Sequence, residues 1–399
     1  FVGCGGLSEG FEQSRKYKMI GAVEWEPSPV KELRNHLKNR WGIQDSEERV
    51  LQFDIQRTEE LFNGWKDKKF GESKGLDALV GNRQLDVIIG GPPCQAYSVA
   101  GRIRDEHGMR EDYRNYLFES YLKVVQHYKP RVFVFENVPG ILSAKPGDGS
   151  VRIIDLIQKA FADAGYAVLP DLSNAIIDMT EYGVPQNRKR IIILGVSKEH
   201  YGDKAEAMVE KFYSSYLPEY KIEKKATVRD AIGDLPKLRP LDEPISYLGR
   251  KLSHSVSDPL INGHISRFHN KRDIELFKFL EEDIASGRMK YTSAKSLKTL
   301  YTKLTGKTSN VHKYYVLRWD EPSNLIPAHL FKDGLRHIHP DPEQARTITV
   351  REAARLQTFP DDYYFNCSQT DAFKMIGNAV PPLFAKKVAY AIYHLIQEN

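Results

Sequence analysis

Apolar and polar positions follow two regimes along this chain. Up to about Ser197, short apolar runs alternate with stretches of helical spacing. The runs are Met19–Val23, Val50–Phe53, Val87–Ile89, Val132–Phe135 and Ile191–Val196. They are β-branched and aromatic, and of the length expected for buried strands. Between them, Leu7 and Phe11 stand at i, i+4. Leu117, Tyr121, Val124, Val125 and Tyr128 mark a helix over Tyr116–Tyr128, and Ile153–Ala164 has one apolar face. This order predicts an α/β unit. Trp65–Gly81, charged and Gly-containing, reads as a surface insertion, and Arg102–Arg114 as a polar, mobile loop. From Ser197 to about Trp319 the alternation is lost, with short helical pieces such as Ile274–Ala285. Regular pattern resumes in a short helix, Arg351–Phe359, and an apolar-striped one, Phe384–Ile396.

The strand ends carry the candidate chemistry. Val87-Ile88-Ile89 is stopped by Gly90-Gly91. Pro92-Pro93 stiffens the adjoining backbone, because each ring holds φ near −65° and removes a donor. Cys94 then stands on a rigid loop at a strand end, where open α/β sheets present reactive groups; the plainer alternative is a buried cysteine packed as a small hydrophobe. Val132–Phe135 delivers Glu136. Burial there raises a carboxyl pKa and lets it donate a proton near neutrality, unless the side chain caps a helix or pairs with an arginine. Arg188 and Arg190, two apart at the start of a strand, share one face. They make either a guanidinium fork aimed at a carbonyl or phosphate or an exposed basic edge.

Gly3, Gly5 and Gly6 permit a tight turn and close approach to a ligand. Glu24-Trp25 ends the next strand, and a carboxylate there can accept from a ribose diol. Turn and acidic tip together indicate a nucleoside, without separating NAD from S-adenosylmethionine. Asp54 either accepts from an adenine amino group or caps a helix over Thr58–Phe62. The strand that should precede the glycine turn is missing, so the natural protein is expected to start upstream. Gly377-Asn378, before a proline-started helix, reads as a polar loop beside the opening turn.

Composition narrows the class. The 399 residues suffice for a large core and a second domain. Hydrophobic residues make up 41% and charged ones 28%, an ordinary soluble mixture without a membrane-spanning run or signal peptide. Three cysteines form neither a disulfide framework nor a Cys4 zinc site, which fits a reducing cytosol. His337 and His339 lack companion ligands and read as structural, so no metal is expected. A net charge of +5 mildly favours a polyanionic partner. Ile284–Trp319 contains no Asp or Glu, yet carries Arg288, Lys290, Lys295, Lys298, Lys303, Lys307, Lys313 and Arg318 among four tyrosines. Such a run suits a nucleic-acid backbone, the alternative being a solvated face.

Taken in order, Phe1–Gly6, Glu24-Trp25, Asp54-Ile55, Pro93-Cys94-Gln95, Glu136-Asn137-Val138, Gln186-x-Arg188-x-Arg190, the Arg346–Pro360 block and Gly377-Asn378 resemble the motifs of the cytosine-C5 DNA methyltransferases over nearly the whole chain. The resemblance implies a doubly wound, Rossmann-like, S-adenosylmethionine-dependent domain over 1–196, completed by 355–399, with a smaller, irregular target-recognition domain over 197–354. It implies that Phe1, Gly3, Gly6, Glu24, Trp25, Asp54, Ile55, Pro93, Ser98, Leu117 and Asn378 line the cofactor site, with S-adenosylhomocysteine as product. Cys94 would be the nucleophile toward cytosine C6, Glu136 would serve N3, and Arg190, supported by Arg188, would hold O2. The target base must be flipped out of its duplex. Gln95 and the run Arg288, Lys290, Lys295, Lys298, Lys303 and Lys307 would contact DNA. The expected setting is a monomeric bacterial modification enzyme in the cytoplasm, on double-stranded DNA, with any restriction endonuclease acting separately. A tRNA cytosine methyltransferase of the same fold is the alternative. A Rossmann dehydrogenase would leave Cys94, Glu136 and Arg190 without roles, and those same residues argue against a silent DNA-binding relative.

Overall fold

The apolar runs form strands where the sequence places them. In the computed structural model, which describes residues 1–92, 117–145, 150–310 and 312–399, β1 (Ala22–Glu24) pairs in parallel with β2 (Val50–Gln52). A hairpin comes next, β3 (Trp65–Asp67) against β4 (Gly71–Ser73). β5 (Val87–Gly90) runs parallel to β6 (Val132–Asn137). β7 (Tyr166–Ala167) and β8 (Ile176–Asp178) both pair with β9 (Lys189–Ser197), which lies antiparallel to β6. Every residue of β6 is buried, as a strand covered on both faces requires. Gly195 faces Phe133 across β6 and β9, and a Cβ there would stand 2.0 Å from the Phe133 ring. Pro93, Cys94, Gln95, Ser98 and the loop at 102–114 lie outside the described residues.

The two parallel pairs do not join among the described residues. A cavity of about 560 Å³ runs between them, lined by residues 19–23 on one side and 85–90 on the other. Helix α1 (Gly6–Ser14) packs against the last helix, Pro382–Gln397. Gly10 allows this approach, since a Cβ would meet Ala385 Cβ at 2.4 Å and Pro382 O at 2.5 Å. Trp65 does not belong to a surface insertion. It is buried and stacks on Phe53 with centroids 3.8 Å apart.

Two compact units result. The first comprises residues 1–182, 189–222 and 380–399, the second 183–188 and 223–379. The divisions therefore fall at 222/223 and 379/380, later than the 196/197 and 354/355 expected from pattern loss. The reason is burial: Met208, Val209 and Phe212 carry segment 204–216 onto β9 and the last helix. In the second unit, the hairpin β10 (Pro240–Tyr247) and β11 (Arg250–His254) joins helices Lys271–Ala285 and Ala294–Thr305. Phe277, Leu280, Leu297, Leu300, Val316 and Ile338 form one core there. Gly377-Asn378 is the end of helix Gln369–Asn378, not a loop. A Cβ on Gly377 would stand 2.3 Å from Ala328 N, so helix backbone meets loop backbone directly.

The second unit also buries a polar network. Arg346 and Glu352 form a bidentate pair at 2.6 and 2.7 Å, both fully buried. Glu352 also completes a capping box with Thr349 at the start of helix Val350–Leu356. Burial pushes Glu352 up, but the charge and hydrogen bonds of Arg346 outweigh it and leave the carboxyl far below its usual range. Burial also holds His254 and His337 down to about 4, and His269 and His339 down to about 3. His337 and His339 are thus structural, bonded to Leu325 O and to Asp341 N. These histidines take up protons more readily when unfolded, where their pKa is near 6.5. Their stabilisation is complete above that pH and is lost as pH falls toward 3–4, by about 1.4 kcal/mol per pH unit for each group. Hydrogen exchange across Lys271–Ala285 should therefore accelerate steeply between pH 7 and 5 after correction for intrinsic rates. The double variant His269→Gln, His339→Gln should flatten that dependence, and a pH-independent opening energy in the parent chain would contradict it.

Candidate active site

Strands β5, β6 and β9 meet at one tip in the first unit. Glu136 and Asn137 end β6, and both side chains are used. Glu136 is buried, and its carboxylate lies 3.0 Å from Arg190 Nε through Oε1. The register explains this contact: Glu136 faces Ile192 on antiparallel β9, two residues from Arg190. Of the alternatives open to Glu136, the arginine pair is the one that forms. Arg190 also donates from Nη1 to Lys189 O at 2.8 Å.

The segment leading to Cys94 is held against this pair. A Cβ on Gly91 would stand 2.7 Å from Glu136 Oε2, and one on Gly90 2.7 Å from the Tyr121 ring. Only glycines let the backbone pass so close. Asn137 Nδ2 then donates to Pro92 O at 3.3 Å. Gly91 and Asn137 hold this tip together, although the sequence marked Gly91 only as a strand end and Asn137 only as part of a motif. Arg188 acts differently from Arg190. It precedes β9, is buried, and donates to Ala379 O at 2.7 Å and Gly377 O at 3.3 Å within the second unit.

The tips of β1 and β2 are built for polar contact. Glu24 Oε2 accepts from Gly3 N at 2.8 Å, and Oε1 accepts from Trp25 N and Glu26 N at 2.8 and 3.0 Å. Gly3 takes φ 58°, which the turn requires. Oε1 is thus filled by two amides, and Oε2, with one, keeps acceptor capacity for a hydroxyl. Phe1 and Val2 both donate to Val23 O, and Gly6 is buried at the start of α1. Asp54 Oδ1 accepts from Gln56 N at 3.0 Å. It does not cap the helix Thr58–Asn63, whose N-cap is Arg57. Trp25 is 48% exposed, Ile55 packs partly buried beside Phe53, and Leu117 is buried at the start of helix Leu117–Tyr128. These atoms fit the ribose and base of a nucleoside. Asn378 is exposed at its helix end in the second unit.

The basic candidates also lie in the second unit. Helix Ala294–Thr305 buries Leu297 and Leu300 and exposes Lys295, Lys298 and Lys303. None of these lysines has an ion pair among the described residues. Lys290 and Lys307 are exposed, and Arg288 lies 3.8 Å from Asp283. Lys313 and Arg318 are engaged, with Asp333 at 2.6 Å and over the Tyr315 ring at 5.2 Å. Among the described residues, no group of three His, Cys, Asp or Glu side chains could hold a metal, and no helix is long and apolar enough to cross a membrane.

Two parallel strand pairs, one tipped by Glu136 and the other by Glu24 where a glycine turn meets it, make an α/β unit of the Rossmann-like kind. The family profile described as C-5 cytosine-specific DNA methylase matches residues 1–394, and the chain belongs to that family. It is similar to the type II methyltransferase M.Bpa9945I of Bacillus paralicheniformis, 34% identical over 99% of this chain and 98% of that protein. A second relative is the type II methyltransferase M.AgeI of Thalassovita gelatinovora, 30% identical over 98% and 97%. In fold it resembles an E. coli prophage-encoded chain described as a DNA modification methyltransferase, with TM-score 0.64 and 22% identity over 100% and 98% of the two chains. The S. pombe Dnmt2 methyltransferase is a further structural neighbour at TM-score 0.54 and 14% identity over 100% and 97%. The chain is thus a DNA cytosine-C5 methyltransferase, and the family match favours DNA over the tRNA alternative.

Removing Arg190 should leave Glu136 buried beside no cation. Arg190→Ala should cost about 3 kcal/mol in urea unfolding, and adding Glu136→Gln to it should return part of that loss. Equal stability of Arg190→Ala and the parent would show that the pair does not hold this tip together.

Proposed function

We propose that this chain transfers a methyl group from S-adenosylmethionine to C5 of a cytosine flipped out of a specific duplex DNA sequence, through a covalent Cys94–C6 intermediate. The observation that carries this reading is the approach of Gly91 and Pro92, which precede Pro93-Cys94 in sequence, to the Glu136–Asn137 tip beside the Glu136–Arg190 pair.

Cytosine C5 is a weak nucleophile. Addition of the Cys94 thiolate to C6 forms the S–C6 bond and moves the C5=C6 electron pair onto C5. Glu136 hydrogen-bonds or protonates N3, which stabilises the charge pushed into the ring, and Arg190 holds O2 while Arg188 braces the chain before β9. Bound S-adenosylmethionine supplies the electrophilic methyl group and departs as S-adenosylhomocysteine. A base then takes the C5 proton, the C5=C6 bond re-forms and the thiolate leaves. Glu24 accepts from the ribose hydroxyls, Asp54 from the adenine amino group, and Phe1, Gly3, Gly6, Trp25, Ile55, Pro93, Ser98, Leu117 and Asn378 complete the site. The second unit reads the target sequence, with Arg288, Lys290, Lys295, Lys298, Lys303 and Lys307 on phosphates and Gln95 at the flipped base. The proposed setting is a monomer working in the cytoplasm on double-stranded DNA, with any restriction endonuclease acting separately; the relatives it resembles are bacterial type II methyltransferases.

Fluorine at C5 cannot leave as a proton, so duplex DNA with 5-fluorocytosine at the target should trap the chain in a denaturant-stable complex when S-adenosylmethionine is present. Cys94→Ala should abolish trapping and turnover yet still bind DNA, because phosphate contacts supply most of the affinity. Buried Cys4 and half-buried Cys367 should be dispensable for trapping; an adduct mapped to either one would sink the assignment.

Replacing Lys295, Lys298 and Lys303 with Ala should flatten the plot of log affinity against log salt by about 0.9 for each phosphate that is no longer neutralised. A slope equal to the parent's would mean that these lysines do not touch the backbone.

A further inference from the structure

The hairpin β3–β4 lies in a stretch whose sequence suggested only a surface insertion. Its connection is Lys68-Lys69-Phe70, and Asp67 shapes it. Asp67 Oδ1 accepts from Lys69 N at 2.9 Å and Phe70 N at 2.7 Å, and Gly71 takes φ 71°. Asp67 Oδ2 accepts from Arg57 Nη1 at 2.6 Å, and Arg57 also grips Glu60 from Nε at 2.8 Å. The connection is therefore tied to the segment just after Asp54.

It delivers two side chains to Trp25. The Phe70 ring meets Trp25 edge-on, with centroids 5.7 Å apart at 65°, and meets Phe53 edge-on at 5.2 Å. Lys69 Nζ stands over the Trp25 ring, 4.0 Å from its centroid, and 4.8 Å from that of Phe70. A cation in that position is drawn to the negative face of the ring. Trp25 directly follows Glu24, and nearly half of it is exposed. An exposed indole samples several rotamers; one held by a cation on a face and a ring on an edge does not.

We infer that Lys69 and Phe70 are positioning residues for the methyl donor. They hold the Trp25 indole in the plane against which the adenine base stacks, and Lys69 covers one face while the exposed remainder of the ring receives the base. This rests on the assignment of Glu24 to the ribose, since a base joined to that ribose lies beside the residue after Glu24.

The test uses the whole chain, calorimetry with S-adenosylmethionine and with adenosine, and steady-state kinetics. Lys69→Met keeps the stem and removes the charge. It should raise the dissociation constants of both ligands about three- to fivefold, the worth of one exposed cation–π contact. Lys69→Arg should restore them, because guanidinium also stacks on aromatic faces. Phe70→Ala should raise them about tenfold. KM for S-adenosylmethionine should rise in step while kcat at saturation stays at the parent value, and the Lys69→Met melting temperature should not move. Glu24→Ala serves as the control, with an expected loss of roughly ten- to a hundredfold. If Glu24→Ala weakens binding while Lys69→Met and Phe70→Ala leave both constants unchanged, the positioning role is wrong and the cofactor site stands. A fall in kcat at constant KM also overturns it. If Glu24→Ala itself changes nothing, the cofactor site is misplaced and this inference goes with it.

Discussion

A carboxylate held inside the protein by a guanidinium is the contact on which the first unit's strand tip depends. Glu136 ends a strand with no exposed residue, and an ionised group there is expensive without a partner. Arg190 Nε at 3.0 Å is that partner. It arrives because β9 runs antiparallel to β6 in a register that sets Ile192 opposite Glu136. β5 then closes in on the same carboxylate through Gly91, where any side chain would take the place of a Glu136 oxygen. Three strands far apart in sequence thus converge on one charge pair, and the chain continues from that point toward Cys94.

The second unit solves the same problem for another purpose. Arg346 and Glu352 are fully buried and bidentate, and Glu352 spends its remaining acceptor capacity on the helix cap at Thr349. The pair's surroundings are neutral histidines bonded to backbone groups, an arrangement that locks a segment of little regular structure into one conformation. The second unit needs such an internal brace, because its apolar core around Phe277 and Leu280 is small.

At the other tip of the catalytic unit, charge is spent on shape. Glu24 gathers three backbone amides and so fixes the glycine turn to the end of β1. Asp67 does likewise for the hairpin connection. The two carboxylates thus fix the backbone that carries Trp25 and the backbone that carries Lys69 and Phe70 against it.

The sequence by itself determined the elements and the family. Val132–Phe135, Val87–Ile89 and Ile191–Val196 became strands and Ile153–Ala164 became a helix, because periodicity depends on neighbours a few residues away. The order of the motifs around Cys94, Glu136 and Arg190 identified the chemistry for the same reason: each motif is local. Only the tertiary structure decided partners. Spacing placed Arg188 and Arg190 on one face, yet the strand begins at Lys189, so Arg188 turned to the carbonyls of Gly377 and Ala379 while Arg190 took Glu136. Phe70 and Lys69 met Trp25, more than 40 residues earlier, with no local signal to announce it. Residues 198–222 joined the first unit through buried Met208, Val209 and Phe212, which only a finished sheet surface could receive. A side chain's direction follows from its own strand or helix, but what it touches depends on register and packing between distant segments, and one sequence read in order does not contain that pairing.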